Sequence, residues 1–466
     1  MDTIWLPELV AGEGPKYLAL ARALRDAIGT GELPEGAQLP TVRDLAWRLS
    51  VTPGTVSRAY QIATQQGLLQ ATVGRGTFVA ARKPRLGPPL PAFAERFVLA
   101  DTNRIDLRSP LLPEVGQTAA IGEALRRISV QNGVDWLDYP SQSEEVDLRE
   151  QVCDWLGERV LGPLGPQDIM LSHGGQNSIG LILDCCLRGD RPVVLTEDLS
   201  YPGFRYAARA ARAEVIGVEL DAEGMRPDAL ETACRRYGPQ VVCLTPAGQN
   251  PTTAQMSAQR MVDIVSIAQR YNLQIVEDEC YPAMTGGSPT LRALAPDRVW
   301  YVGSLSKTVS AALRFGYVIC PTGMGDAGRL TAQHSFFALS RLVTALSQDL
   351  FASGAAVAIR DRVMVEYSER LQLVVNHLGS FDLAWQQGLP FVWLNMPLGW
   401  RASTFAQQAE EAGVLMRSAD QYAMVHGRAP NAVRLALGGN NSQAELVRGL
   451  DILCDLLARP PTDMAV

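Results

Sequence analysis

Lysine is nearly absent. Of the 42 Lys plus Arg residues in this 466-residue chain, only Lys16, Lys83 and Lys307 are lysines. Codon bias accounts for the trend, and single lysines also decorate surfaces. Yet a position that needed only charge would have drifted to arginine with the others. A primary amine, able to lose its proton and attack a carbonyl, is something arginine cannot supply. Lys307, inside "VWYVGSLSKTVSAALRFGYV", is therefore the first candidate for chemistry. Cysteine and histidine are also sparse. The eight cysteines contain no C-x-x-C pair and the four histidines lie far apart, which argues against a zinc site and a disulfide framework. No apolar run approaches the length of a bilayer crossing, and "MDTIWLPELVAGEG" lacks the basic start of a secretory leader. The expectation is a soluble cytoplasmic protein with no membrane association. Acidic residues are missing from Leu45 to Ala94, where Arg48, Arg58, Arg75, Arg82, Lys83 and Arg85 contribute six positive charges. With a net charge of -7 for the whole, the remainder carries -13. A basic segment on an acidic body suits a DNA-reading module attached to something larger, although a solvated basic surface would look the same in composition.

Pattern supports the first reading. "PKYLALARALRDAIGTGEL" places Tyr17, Leu20, Leu24 and Ile28 on one helical face. "LPTVRDLAWRLS" offers Thr41 as N-cap and Asp44 three residues on, with Val42, Leu45 and Leu49 as the apolar stripe. After a short connection, "VTPGTVSRAYQIATQQG" opens a third helix capped by Thr52, with Pro53 at its first position and Gly67 at its end. Two helices joined by a tight turn, the second starting with hydroxyls and Arg58, predict a helix-turn-helix. "LLQATVGRGTFVA" then predicts strand, turn and strand, a wing whose tip is Arg75 followed by Gly76. Such three-helix units with a hairpin also serve as interaction modules.

The first eighty residues resemble the GntR-type winged helix-turn-helix domain, through "LPTVRDLAWRLSVTPGTVSRAY", "QQGLLQ" and "GRGTFVA". The resemblance implies DNA contacts from Arg43 and from the start of the third helix, where Thr52, Thr55, Ser57 and Arg58 stand. Arg75 and Gly76 of the wing would join them. One departure is plain: Pro53 and Gly54 occupy the place where that family often carries an arginine, so one base-reading side chain is missing.

"AARKPRLGPPLPAFAERF" has no helical or strand period and reads as a stiff, extended linker. Beyond it, "DIMLS", "PVVLTE", "VVCLTP", "QIVEDE", "VWYVGS" and "RFGYVICP" alternate with helical patterns, which predicts a mostly parallel, doubly wound sheet. Ligands of such sheets sit at the carboxyl ends of the strands. There the chain places "HGGQNS", Tyr201, Asn250, Asp278 with Tyr281, and Ser304, Ser306 and Lys307. Each has a bland reading as a turn, a cap or a core-edge aromatic. Together they fit pyridoxal phosphate, with Lys307 as the imine-forming amine, Asp278 on the pyridine nitrogen, an aromatic stacked on the ring, and hydroxyls with Arg314 at the phosphate.

Residues 100 to 458 are similar to the fold-type I aminotransferases, through "SYPG", "QNPTT", "DECY", "SLSK", "LRFGY" and "VRLALGG". By that resemblance Gly175 and Gln176 meet the phosphate and Tyr201 stacks on the ring. Asn250 and Tyr281 would contact the ring oxygen, and Arg434 a substrate carboxylate. Tyr139 would reach the phosphate of a neighbouring subunit. Glu144 stands where a glycine is usual, close to the cofactor's mouth, which either alters ordinary substrate access or polarity there or selects an effector with an extra positive group. The whole chain resembles the MocR subfamily of regulators. Its expected organisation is a winged helix-turn-helix over 12–80, a linker over 81–100, and an aminotransferase-like α/β domain with a small C-terminal α+β subdomain over 101–460. The implied function is promoter binding by a head-to-tail homodimer that senses an amine or amino acid through an external aldimine at Lys307. The alternative is a working aminotransferase whose appended domain represses its own gene.

Overall fold

The computed structural model describes residues 5–7, 15–65, 67–72, 76–80, 104–130, 136–157, 159–281, 289–424 and 427–459. It divides into two compact units, Met1–Ala94 and Glu95–Val466. The linker expected over 81–100 and the wing-tip Arg75 lie outside the described residues.

In the first unit, helices α1 (Lys16–Thr30), α2 (Val42–Arg48) and α3 (Pro53–Gln65) precede the antiparallel pair β1 (Leu69–Thr72) and β2 (Gly76–Val79). Local chemistry sets the helix starts. Thr41 Oγ1 accepts from the Asp44 N–H at 3.2 Å and Thr52 Oγ1 accepts from the Thr55 N–H at 3.3 Å, so each satisfies an orphan donor at an N-terminus. Leu20, Leu24 and Ile28 of α1 pack on Leu45 of α2 and on Val56 and Tyr60 of α3. The Tyr60 hydroxyl donates to the Pro40 carbonyl at 2.9 Å, so the buried phenol keeps a partner. Trp5 also joins this core, ahead of any residue that the helical pattern selects.

The second unit is built on a seven-stranded sheet. Its strands are β3 (Ile169–Ser172), β4 (Val193–Glu197), β5 (Glu214–Val218), β6 (Val241–Leu244), β7 (Gln274–Asp278), β8 (Val299–Ser304) and β9 (Gly316–Ile319), in the order β3-β9-β8-β7-β6-β4-β5. All six strands read from the sequence are present, and β5 is an addition. Strands β3, β4, β6, β8 and β9 are buried along their whole length, as expected of a sheet covered on both faces. Strand β9 runs antiparallel to both its neighbours. Its first residues therefore lie at the edge where the other strands end, which brings Arg314 to that edge.

A second, antiparallel sheet follows, made of β10 (Leu383–Ala384), β11 (Phe391–Asn395), β12 (Arg417–Ser418) and β13 (Ala432–Ala436), in the order β10-β11-β13-β12. The helices Ala355–Leu378 and Gln443–Leu457 share its apolar core. Among the described residues no single helix is long and apolar enough to cross a membrane.

Candidate functional site

The site assembles at the carboxyl edge of the large sheet. After β3 the chain turns at Gly174 into helix α4 (Gly175–Cys186), whose first N–H groups have no intrahelical partners. Two glycines are needed because the space is taken. A Cβ on Gly174, which has φ +87°, would lie 3.0 Å from the Arg314 guanidinium, and one on Gly175 would lie 2.5 Å from Cys280 Sγ. Arg314 sits in a left-handed conformation, with φ +49°, and its Nη2 donates to the His173 carbonyl at 2.9 Å. A helix N-terminus and a guanidinium thus face one small volume, which is the arrangement that binds a phosphate.

Lys307 lies in the 3-10 turn Leu305–Lys307 that follows β8, and Ser304 caps that turn. Ser304 Oγ accepts from the Ser306 N–H at 3.1 Å and donates to the Phe315 carbonyl at 3.0 Å. The Ser304 hydroxyl therefore holds the turn. Lys307 Nζ donates to the Pro110 carbonyl at 3.0 Å. Asp278, the last residue of β7, accepts from the Cys280 N–H at 3.0 Å, and burial pushes its carboxyl above the ordinary range. Burial and then the Asp278 carboxylate push the Cys280 thiol up, while Lys307 and Arg314 pull it down. Cys280 Sγ also lies against Gly175, so Asp278 and the start of α4 meet beside it. Cys280 was missed in the sequence, although its place two residues after Asp278 could have marked it.

Tyr201 ends the loop after β4 and packs edge-on against Phe204. A Cβ on Gly203 would come within 2.1 Å of both the Tyr201 ring and Gln176 Oε1, so the glycine makes room for both side chains. Gln176 Nε2 donates to the Gly203 carbonyl at 3.0 Å, which ties the α4 start to the Tyr201 loop. Gln249 anchors the neighbouring loop, with Nε2 donating to Glu197 Oε2 at 3.1 Å and to the Leu199 carbonyl at 2.6 Å. Burial raises the Glu197 carboxyl to about 7. The next residue, Asn250, is buried and accepts from Arg434 Nη1 at 2.8 Å. Tyr281 packs edge-on against Phe391, with ring centres 5.3 Å apart.

Arg434 rises from β13, 2% exposed, between the rings of Phe391 and Tyr422. Its Nε is buried with no hydrogen-bond partner, and among the described residues no carboxylate lies within ion-pair distance of it. Beside it on β12 is Arg417, also buried. The sequence reading passed over Arg417, although a buried strand that carries an arginine was a visible signal. Tyr139 is 80% exposed and remote in contact from this cluster, beside Phe337.

Glu144 corrects an expectation. Its carboxylate is not held out for a positively charged effector: Arg341 grips it through Nε at 2.9 Å and Nη2 at 3.0 Å, and Ser141 Oγ donates to it at 3.1 Å. Arg341 holds its carboxyl well below the usual range, at about 2. It closes the capping box of the turn Gln142–Glu145.

In the first unit, Arg43, Thr52, Ser57 and Arg58 are exposed and Thr55 is half-buried. The Arg58 guanidinium lies 4.5 Å above the Tyr17 ring, a stack that presents it from the surface of the helix pair. At the wing, a Cβ on Gly76 would meet Gln38 Nε2 at 2.9 Å.

Comparison with known families decides the larger unit: residues 109–452 match the class I and II aminotransferases. The chain belongs to that family. Residues 16–79 match the gntR family of bacterial regulatory proteins, so an aminotransferase domain follows a GntR domain, the MocR arrangement. The chain is 27% identical over 458 residues to the HTH-type transcriptional regulator YdeF of Bacillus subtilis, covering 97% of this chain and 96% of that one. It is 28% identical over 377 residues to the HTH-type pyridoxine biosynthesis transcriptional regulator PdxR of Corynebacterium glutamicum, covering 78% of each. Among solved structures it is similar to LysN, the alpha-aminoadipate aminotransferase of Thermus thermophilus complexed with N-(5'-phosphopyridoxyl)-L-leucine. That likeness has a TM-score of 0.66 at 24% identity and covers 76% of this chain and 92% of that one, which supports the fold. The cofactor of this aminotransferase family is pyridoxal phosphate. The residues present fit it: an anion cradle at α4, a half-buried carboxylate at Asp278 with no cation within ion-pair distance among the described residues, and a lysine amine in the turn after the neighbouring strand β8.

Proposed function

We propose that this GntR-aminotransferase regulator binds promoter DNA as a homodimer and senses a small amine bearing an acid group, received between Lys307 and Arg434. The observation that supports this reading is that the Gly174–Arg314 cradle, Asp278 and Lys307 stand at one edge of the same sheet, in a chain that also has a GntR unit. When bound, pyridoxal phosphate supplies an aldehyde that bonds a primary amine and a ring that withdraws electrons. The chain's residues do the rest. The N–H groups at the start of α4, with Arg314 and Ser306, hold the phosphate. Asp278 would keep the proton on the pyridine nitrogen, Tyr201 would cover one ring face, and Asn250 and Tyr281 would serve the ring oxygen. Lys307 Nζ would be the amine that bonds the aldehyde, and Arg434 would fix the carboxylate of an amine that approaches it. Exposed Tyr139 is positioned to serve a neighbouring copy.

The test uses holoprotein and a fragment of its own promoter. A recognised amine shifts the visible absorbance and changes DNA affinity over the same concentration range. Amines that shift the absorbance and leave DNA affinity constant would sink the sensing reading. A second reading, a working aminotransferase, is favoured by one observation: Lys307, Asp278 and Arg434 are all in place for turnover. Sustained conversion of an amino acid in the presence of a 2-oxo acid would establish it.

At the DNA end, Arg43 and Arg58 are taken as phosphate contacts. Replacing both by alanine should reduce the salt dependence of binding by about two units of slope, since each lost contact removes about one released counterion. An unchanged slope in a fluorescence-anisotropy titration would remove these two residues from the interface.

A further inference from the structure

Arg417 and Arg434 are direct partners across the antiparallel pair β12 and β13, so their side chains leave the same face of the small sheet. Both are buried, at 6% and 2% exposure. Both donate to one atom: Arg417 Nε reaches the Arg108 carbonyl oxygen at 3.1 Å and Arg434 Nη2 reaches it at 2.5 Å. These two bonds place the donor nitrogens within about 6 Å of each other. Arg417 Nη1 also donates to Gln421 Oε1 at 2.8 Å, which fixes the plane of its guanidinium. Phe391 and Tyr422 fix that of Arg434. Two guanidinium groups buried side by side and turned to one oxygen favour a ligand with two negative groups over one with a single carboxylate.

The same segment bounds the ligand. Lys307 Nζ donates to the Pro110 carbonyl, two residues beyond the Arg108 carbonyl that the arginines share. Arg108 and Ser109 form a bend, and two residues span at most about 7 Å, so the amine-bonding lysine and the arginine pair lie within reach of one small amino acid. We infer that Arg417 and Arg434 together form a receptor for two acid groups, and that the amine sensed here is a short dicarboxylic amino acid. Arg434 takes one carboxylate and Arg417 the other. The inference rests on the proposed sensing role and narrows its ligand class.

The experiment uses the full chain loaded with pyridoxal phosphate and reads visible absorbance against ligand concentration. L-aspartate is compared with L-asparagine and L-glutamate with L-glutamine, pairs matched in size that differ in the second charge. The acids should reach half-shift at concentrations at least about tenfold lower than the amides. Arg417→Gln should erase that preference and Arg417→Lys, which keeps the charge, should restore part of it. Equal response to acid and amide in the unmodified protein overturns the inference whatever the variants do, and so does an Arg417→Gln protein that keeps the preference. If none of these four amino acids shifts the absorbance while other primary amines do, the dicarboxylic class is wrong and sensing stands. If no primary amine shifts it, the sensing reading falls as well.

Discussion

Lys307→Arg should yield a folded protein that retains positive charge at this position, shows no visible absorbance with pyridoxal phosphate, and no longer changes its DNA affinity when effector is added. The expected loss is complete, because a guanidinium stays protonated and does not form a carbonyl adduct at neutral pH. Lys307 sits where the substitution is sterically mild. It is half-buried, at the end of a short 3-10 turn, with its amine on the Pro110 carbonyl. Arginine can keep that hydrogen bond, so the fold and the phosphate cradle at α4 should persist. Borohydride reduction followed by peptide mapping separates chemistry from charge. The unmodified protein should carry a stable adduct on residue 307, and the arginine variant none. Lys16 and Lys83, the other two lysines, serve as internal controls for non-specific labelling. An adduct on residue 307 is the minimum requirement. A Lys307→Arg protein that keeps its visible absorbance would place the reactive amine elsewhere.

How far the chain could be read in advance depends on the range of the interactions involved. The strand ends were legible because each carries its marker within a few residues: "GGQ" opening a helix after β3, Asp278 closing β7, and Lys307 in the turn after β8. The caps at Thr41 and Thr52 were legible for the same reason. The direction of β9 was also available, though not from alternation alone. Residues 305–315 are too short a connection for a crossover, so β9 had to return antiparallel. Glu144 was misread because its partner, Arg341, lies 197 positions away. A carboxylate near a ligand mouth looks available until the guanidinium that binds it is located. Arg417 is the converse case. Its value comes from β13, which pairs it with Arg434, and from the Arg108 carbonyl 309 positions away, and neither leaves a trace in "VLMRSAD". Trp5 fails for a third reason: a single aromatic ahead of the first helix has no period to betray its burial.

Asp278→Asn should act in opposite directions on the empty and the loaded protein. In the empty protein the half-buried Asp278 accepts a hydrogen bond from the Cys280 N–H, and desolvation raises its carboxyl above the ordinary range. In the unfolded chain the same group ionises near pH ~3.9. Between that value and the raised value of the folded state the unfolded chain releases its proton first, so this residue's contribution to stability falls as pH rises through the window. Asparagine does not ionise, so the empty variant should be more stable than the unmodified protein at neutral pH, and the difference should vanish below pH ~3.9. On the proposed reading, bound pyridoxal phosphate would give the carboxylate a cationic pyridine nitrogen as partner. Breaking one side of such a buried pair costs about 3–5 kcal/mol, equivalent to roughly 10²–10⁴-fold weaker cofactor binding. Thermal unfolding of both proteins, with and without cofactor and at acid and neutral pH, measures both effects in one series. The crossing of the two pairs of curves is the signature: a carboxylate kept only for packing would lose stability in both states when replaced. One kept for the pyridine nitrogen gains in the empty state what it loses in the loaded one.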